Sequence, residues 1–361
     1  MRSALLRWFR GAARDLPWRR TSDTYAIWVS EVMLQQTRAA TVEPYYERFL
    51  SRLPTIEALA NADESLLREL WAGLGYYSRV RNLQRAAQRL VREARGMPGS
   101  AEQWRQLPGV GRYTAAAIAS IGLGERVAVL DGNVKRVLAR LLGEPRCIDD
   151  AAVVEDLWTQ AERLVHPRAP GAFNQAMMEL GATLCTPRSP RCERCPLAAH
   201  CAARRESLQR QIPLRRAKRP PRVVEQTAVA VVDAGRCLLV RRGAGPLSGA
   251  WTLPATPLSA SAVADVTDLV LRQTGVRVRA GAEQGRVRHA FSHIALTVRV
   301  VAAGVVRRPR RLAPHARWIA LSDLRQTASS TLDRKLFMVA LNVEAGADCP
   351  SPRGRGSLTA L

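Results

Sequence analysis

Four cysteines crowd into one short stretch, Cys185-x6-Cys192-x2-Cys195-x5-Cys201. Thiolates at this spacing can enclose a tetrahedral zinc or a cubane iron–sulfur cluster, and spacing alone does not separate the two. A second group lies between Leu107 and Val137. Its opening turn, Leu107-Pro108-Gly109-Val110-Gly111, sets a proline and two glycines before an alanine-rich run that reads as a helix over Tyr113–Ile121. Glycine permits backbone geometry closed to other residues, and free N–H groups at a helix start bind phosphate without reading bases. At the far end Asp131 precedes Gly132-Asn133-Val134 and a helical run, Lys135–Leu142. That is the place of an N-cap, where the helix start favours an ionised carboxylate. Tyr113 lies between turn and acid, offering a hydroxyl and no amine nucleophile. Together these residues suit carboxylate chemistry on a substrate that carries phosphates.

The chain that must position them has 361 residues, 47% of them hydrophobic, enough for two or three domains with ample core. Net charge is +24, of which residues up to Arg222 carry +14 and the remainder +10. Both parts are basic, so a polyanion is the simplest partner, and with no long apolar run or signal sequence nucleic acid is favoured over membrane. Lysine occurs only at 135, 218 and 335, so the charge is almost all arginine. The clustered cysteines, without a secretory leader, fit a cytoplasmic protein with a metal site better than disulfides.

Residues 1–20 read as a helix followed by an extended arm, and 23–203 as mostly helical, with apolar residues recurring at three and four. Residues 204–222 hold eight Lys/Arg and three prolines without an apolar period, which predicts a basic linker lying near DNA. The texture then changes. Strands are predicted at 226–233, 236–241, 296–306 and 315–320, with helices at about 261–273 and 332–342. The Pro/Gly/Arg-rich end, 346–361, predicts disorder.

On these residues the chain resembles the endonuclease III superfamily of helix-hairpin-helix DNA glycosylases. Within it, Ser30-Glu31-Val32-Met33-Leu34-Gln35-Gln36-Thr37, Gly73-Leu74-Gly75-Tyr76-Tyr77 and Phe173-Asn174-Gln175-Ala176 are similar to adenine DNA glycosylases of the MutY type. The resemblance implies an all-α glycosylase domain over 1–203 with an iron–sulfur loop, the 204–222 linker and an α/β Nudix-like domain over 223–345. It turns the cysteine ambiguity towards a [4Fe–4S] cluster. The implied substrate is adenine opposite 8-oxoguanine or guanine in double-stranded DNA, met by a monomer in a cytoplasmic, nucleoid-associated bacterial setting.

The implied roles follow the residues. Glu31 is the acid that protonates adenine at N7, and Asp131, with Asn133 beside it, is the carboxylate that stabilises or captures the sugar cation, as carboxylates do in glycoside hydrolysis. Tyr113 replaces the lysine of strand-cleaving relatives, so base removal should leave an abasic site, with a hydroxyl free to bond Asp131 or position water. Lys135 is the nearest amine for weak lyase activity. Gln36, Thr37, Leu74 and Tyr76 match positions that fill the gap left by the flipped base. Gly109 and Gly111 form the phosphate turn, and Arg19 and Gln175 match pocket residues. In the C-terminal part, Phe291-Ser292-His293 resembles a loop that senses 8-oxoguanine. There 249–276 holds Asp265 and Asp268 but no glutamate, so a Nudix-like domain should bind rather than hydrolyse, lacking oxygen ligands for a divalent ion.

Overall fold

A computed structural model describes residues 1–94, 96–217, 220–243, 249–258, 265–291, 293–328 and 330–347. Ser292, the start of the helix expected near Ser261 and the tail beyond residue 347 lie outside them. The chain divides into two compact units, Met1–Lys218 and Arg219–Leu361.

The first unit is helical: α1 (Arg2–Ala12), α2 (Thr24–Leu34), α3 (Ala39–Arg52), α4 (Ile56–Asn61), α5 (Glu64–Trp71), α6 (Ser78–Glu93), α7 (Ala101–Arg105), α8 (Arg112–Gly122), α9 (Gly132–Leu142), α10 (Ala151–Leu164), α11 (Pro170–Thr183) and α12 (Ala202–Arg205). Side-chain caps set several starts, with Asp23, Thr55, Asp63, Ser100 and Asp131 each accepting from a backbone N–H of the first turn. Two apolar cores result. One gathers residues from Leu16 to Ile118 around Trp28, Trp71 and Trp104, while the other joins Leu5 to the α9, α10 and α11 faces. The alanine-rich α8 serves both, Ala115 and Ile118 in the first core, Ala116 and Ala117 in the second. Small side chains on all sides let neighbours approach from both directions, and that is what its composition encodes. The arm after α1 is extended as expected and ends in a single 3-10 turn, Pro17–Arg19.

Part of the expected linker is built into this unit. Ile212 is buried in the second core, Leu214 bridges Cys147, and the Arg216 guanidinium pairs with Asp150. Its prolines and charges concealed two apolar residues that act singly, without a period to reveal them.

The second unit holds β1 (Arg222–Asp233), β2 (Arg236–Arg241), β3 (Trp251–Thr252), α13 (Val266–Thr274), β4 (Arg277–Ala290), β5 (Ile294–Arg307), β6 (Ala316–Ala320), α14 (Leu324–Thr327) and α15 (Thr331–Ala347). Its six-stranded sheet runs β3-β2-β1-β5-β4, with β6 on β2. β1 and β5 are parallel and the other pairs antiparallel, so the sheet is mixed. The expected strands and helices appear, but β4 does not follow from the sequence reading. Its residues RVRAGAEQGRVRHA lack alternation because most are exposed at a sheet edge and the register slips between Ala280 and Gly285.

Candidate active site

Glu31 sits on α2, a helix buried on every face from Tyr25 to Met33. Glu31 is itself buried, 4% exposed, and does not lie on a solvated helix face. Burial pushes its carboxyl up to about 7; the Tyr113 hydrogen bond and the Arg19 charge pull it down, and Asp131 pushes it further up. The Tyr113 hydroxyl donates to Glu31 Oε2 at 2.8 Å and lies 3.2 Å from Met178 Sδ. Tyr113 was expected to bond Asp131 or water. Its position on α8, packed directly against α2, gives it Glu31 instead. Burial and the nearby carboxylates raise its own pKa well above the usual phenol value, so the hydroxyl remains a donor.

Asp131 is the N-cap of α9. Its Oδ1 accepts from the N–H groups of Asn133 and Val134 at 2.9 and 2.7 Å, and its Oδ2 from Asn133 Nδ2 at 2.9 Å. Burial raises its pKa, and these three donors oppose the rise. Capping and a reactive role are thus compatible in one carboxylate. The approach to it is fixed by Asn174, whose amide bonds Ser120 Oγ, Val127 O and the Val129 N–H. Asn133 Oδ1 in turn accepts from Arg136, which also bonds the carbonyls of Gly181 and Cys185.

Glu31, Tyr113, Asp131, Asn133, Gln36, Thr37, Arg19 and Gln175 all line one cavity of about 910 Å³, at the upper end of the range for small-molecule pockets. The sequence reading overlooked three of its other residues, Arg14, Met178 and Glu179. Glu179 is fully buried on α11, and burial alone would raise it. Hydrogen bonds from Arg14 Nε and Nη2 and Arg19 Nη2, at 2.7 to 2.8 Å, outweigh that and hold it below the usual carboxylate range. The arm before α2 is thereby fastened to α11, with Arg19 over the Phe9 ring.

Two DNA-facing expectations change. Leu74 is buried in the first core, so its side chain supports its loop rather than filling a gap. Gly111 caps α8 with φ −87°, an ordinary conformation; a Cβ there would meet open space, so glycine keeps the helix start uncovered. Gly109 does require glycine: φ is +79° and a Cβ would stand 2.7 Å from Asn82 Cβ. Tyr76 is 48% exposed with φ +48°, and Gln36 also adopts a left-handed φ, +59°. In the second unit Phe291 and His293 flank the β4–β5 connection, closed by Phe291 N–H to Ile294 O at 2.8 Å, with Phe291 edge-on to His289. Asp265 caps α13 and Asp268 pairs with Arg272.

The four cysteines and Arg140 line a common hollow. Four thiol groups around one hollow are a donor set that would hold an iron–sulfur cluster. The buried Arg140 guanidinium reaches Cys185 Sγ at 3.3 Å and the carbonyls of Thr186, Pro187 and Ile212, a donor aimed at the sulfur of a ligand.

Comparison with known proteins agrees with this geometry. Residues 29–163 match the HhH-GPD superfamily of base excision DNA repair proteins, 185–201 the iron–sulfur binding domain of endonuclease III, and 227–338 the NUDIX domain. The cysteine loop holds a [4Fe–4S] cluster. The adenine DNA glycosylase of Homo sapiens is 37% identical over 99% of this chain and 77% of its own length. That of Schizosaccharomyces pombe is 29% identical over 95% and 90%. A thermostable thymine-DNA glycosylase structure aligns with TM-score 0.53 and 30% identity over 57% of this chain and 95% of its own. With catalytic-unit, cluster and Nudix matches in one order along nearly the whole length, the chain belongs to the adenine DNA glycosylases.

Proposed function

We propose that this DNA N-glycosylase removes adenine paired with 8-oxoguanine or guanine and, as a monofunctional enzyme, leaves an abasic site. The observation that carries the reading is the buried Glu31 carboxyl, poised near neutrality and held by a tyrosine hydroxyl where an amine would give strand cleavage. With Tyr113 on Oε2, Oε1 is the oxygen left to carry the acidic proton. Glu31 gives that proton to N7 of the extruded adenine. The C1′–N9 bond then breaks, its electron pair leaving with the base. Asp131, held as an acceptor by its cap donors, offsets the positive charge on the sugar, and water adds its oxygen to C1′ while losing a proton to the Glu31 carboxylate, which restores the acid.

Extrusion costs a few kcal/mol, supplied by contacts from the Gln36 and Tyr76 loops and by phosphate binding at the Gly109–Gly111 turn. Arg19 and Gln175 position adenine. The cluster, when bound, would supply a rigid scaffold for the loop, whose Arg188, Arg191 and Arg194 carry the positive charge towards DNA. Phe291-Ser292-His293 in the C-terminal unit reads the oxidised partner base. The protein acts as a monomer in the cytoplasm.

Single-turnover assays on duplexes with A:8-oxoguanine, A:G and A:thymine glycol test this. The adenine strand should break only after alkali, and Glu31→Gln should remove the signal while DNA binding persists. Breakage without alkali that survives Lys135→Ala would overturn the monofunctional assignment.

A further inference from the structure

Arg79 stands in the first turn of α6, and the catalytic scheme has no use for it. On stability grounds it is a poor choice. It is 9% exposed, burial drags its guanidinium down to about 10, and a cation at a helix start opposes the helix dipole. Its contacts explain why the position nevertheless holds arginine. Nη1 donates to the carbonyls of Val32, Met33 and Gln35 at 2.9, 2.9 and 2.5 Å, which lie at and just beyond the C-terminus of α2. Nη2 donates to the carbonyls of Leu74 and Gly75 at 3.0 and 3.3 Å, with Thr37 Oγ1 at 3.4 Å. The Trp71 and Tyr76 rings each lie 5.5 Å from its central carbon.

One side chain therefore ties the end of the helix carrying Glu31 to the loop carrying Tyr76. Each tied segment includes a non-glycine residue at left-handed φ, Gln36 and Tyr76, a conformation that surrounding contacts must hold. Lysine could supply the charge but not the planar fork that reaches both segments.

We propose that Arg79 is a positioning residue that makes the Gln35–Thr37 and Gly73–Tyr76 turns a single rigid tool, so that wedging of the duplex and placement of Glu31 occur as one event. This rests on the reading above, in which Gln36 and Tyr76 enter the duplex.

The full-length, cluster-loaded protein tests it in single-turnover assays. One duplex carries A:8-oxoguanine; a second carries adenine as a single-nucleotide bulge, already partly unstacked. Arg79→Met should slow excision at the stacked mispair by about tenfold or more and at the bulge by a much smaller factor, because at the bulge no wedging has to be coordinated with the placement of Glu31. Arg79→Lys should fall between. In a Tyr76→Ala background, Arg79→Met should add less than about twofold, since the two act as a unit. Equal losses on both substrates, or effects that multiply in the double variant, would overturn the proposal. If Arg79→Met does not retain iron, Arg79→Lys alone and with Tyr76→Ala carries the same comparison. A wild type that excises no adenine would refute the proposed function. The coupling is then read from affinity for a duplex with a reduced abasic analogue, where additive losses overturn it and non-additive losses support it.

Discussion

At the level of single residues, the working group is an acid whose burial is unfavourable. In the proposed reaction Glu31 must carry its proton to act, and with its carboxyl near 7 the single-turnover rate should fall as pH rises through that value. The Tyr113 hydroxyl stabilises the ionised form, so Tyr113→Phe should shift the falling limb of the pH–rate profile to higher pH, besides lowering the rate. The same burial links to stability. A carboxyl raised from 4.5 to about 7 in the folded protein favours folding least above both values. Its contribution is fully present below about 4.5 and lost as pH rises through about 7. At pH 8 Glu31→Gln should therefore raise stability, by up to about 3 kcal/mol, and Tm by denaturation at pH 5 and pH 8 should show the gain only at the higher pH. The sequence named Glu31, Asp131 and Tyr113 because each sits inside a long motif. It could not name Glu179 or Arg79, because a buried charge is recognised by its partners, and those lie far away in the chain.

At the level of elements, the proposed role of Asp131 rests on a helix start. Asp131 caps α9, and asparagine caps about as well as aspartate. Asp131→Asn should keep the thermal midpoint within a few degrees yet lose excision, whereas Asp131→Ala should lose excision and about 1 to 2 kcal/mol of stability. Calorimetry beside the single-turnover assay separates cap from charge. Helix positions were legible because turns, caps and three-four spacing are local signals; α8 and α9 begin one and three residues before the expected starts. β4 was illegible for the opposite reason. An edge strand with a slipped register buries few side chains, so arginine, glycine and alanine occupy it without the alternation that announces a strand.

At the level of the whole molecule, a charge of +24 is spread over both units. Duplex affinity should fall linearly with log salt, by about a thousandfold or more between 50 and 200 mM if six or more phosphates are neutralised. Where the first unit ends is also testable. A chain stopped after residue 217 keeps Ile212 in the core and its carbonyl on Arg140, whereas one stopped at 203 loses both. The shorter form should retain less iron and melt at lower temperature. The boundary expected at 203 followed the last cysteine, and only packing reveals the clasp beyond it. The clasp has a counterpart at the other terminus. Leu5 belongs to the second core, and Arg2 bonds the carbonyls of Arg163 and Leu164. α1 (Arg2–Ala12) is received by α11 (Pro170–Thr183), so this core joins segments from both ends of the first unit. The first unit is thus fastened from both of its own ends, and the cysteine loop lies between α11, which receives α1, and the Ile212 clasp, so loss of either fastening should loosen the loop that holds the cluster.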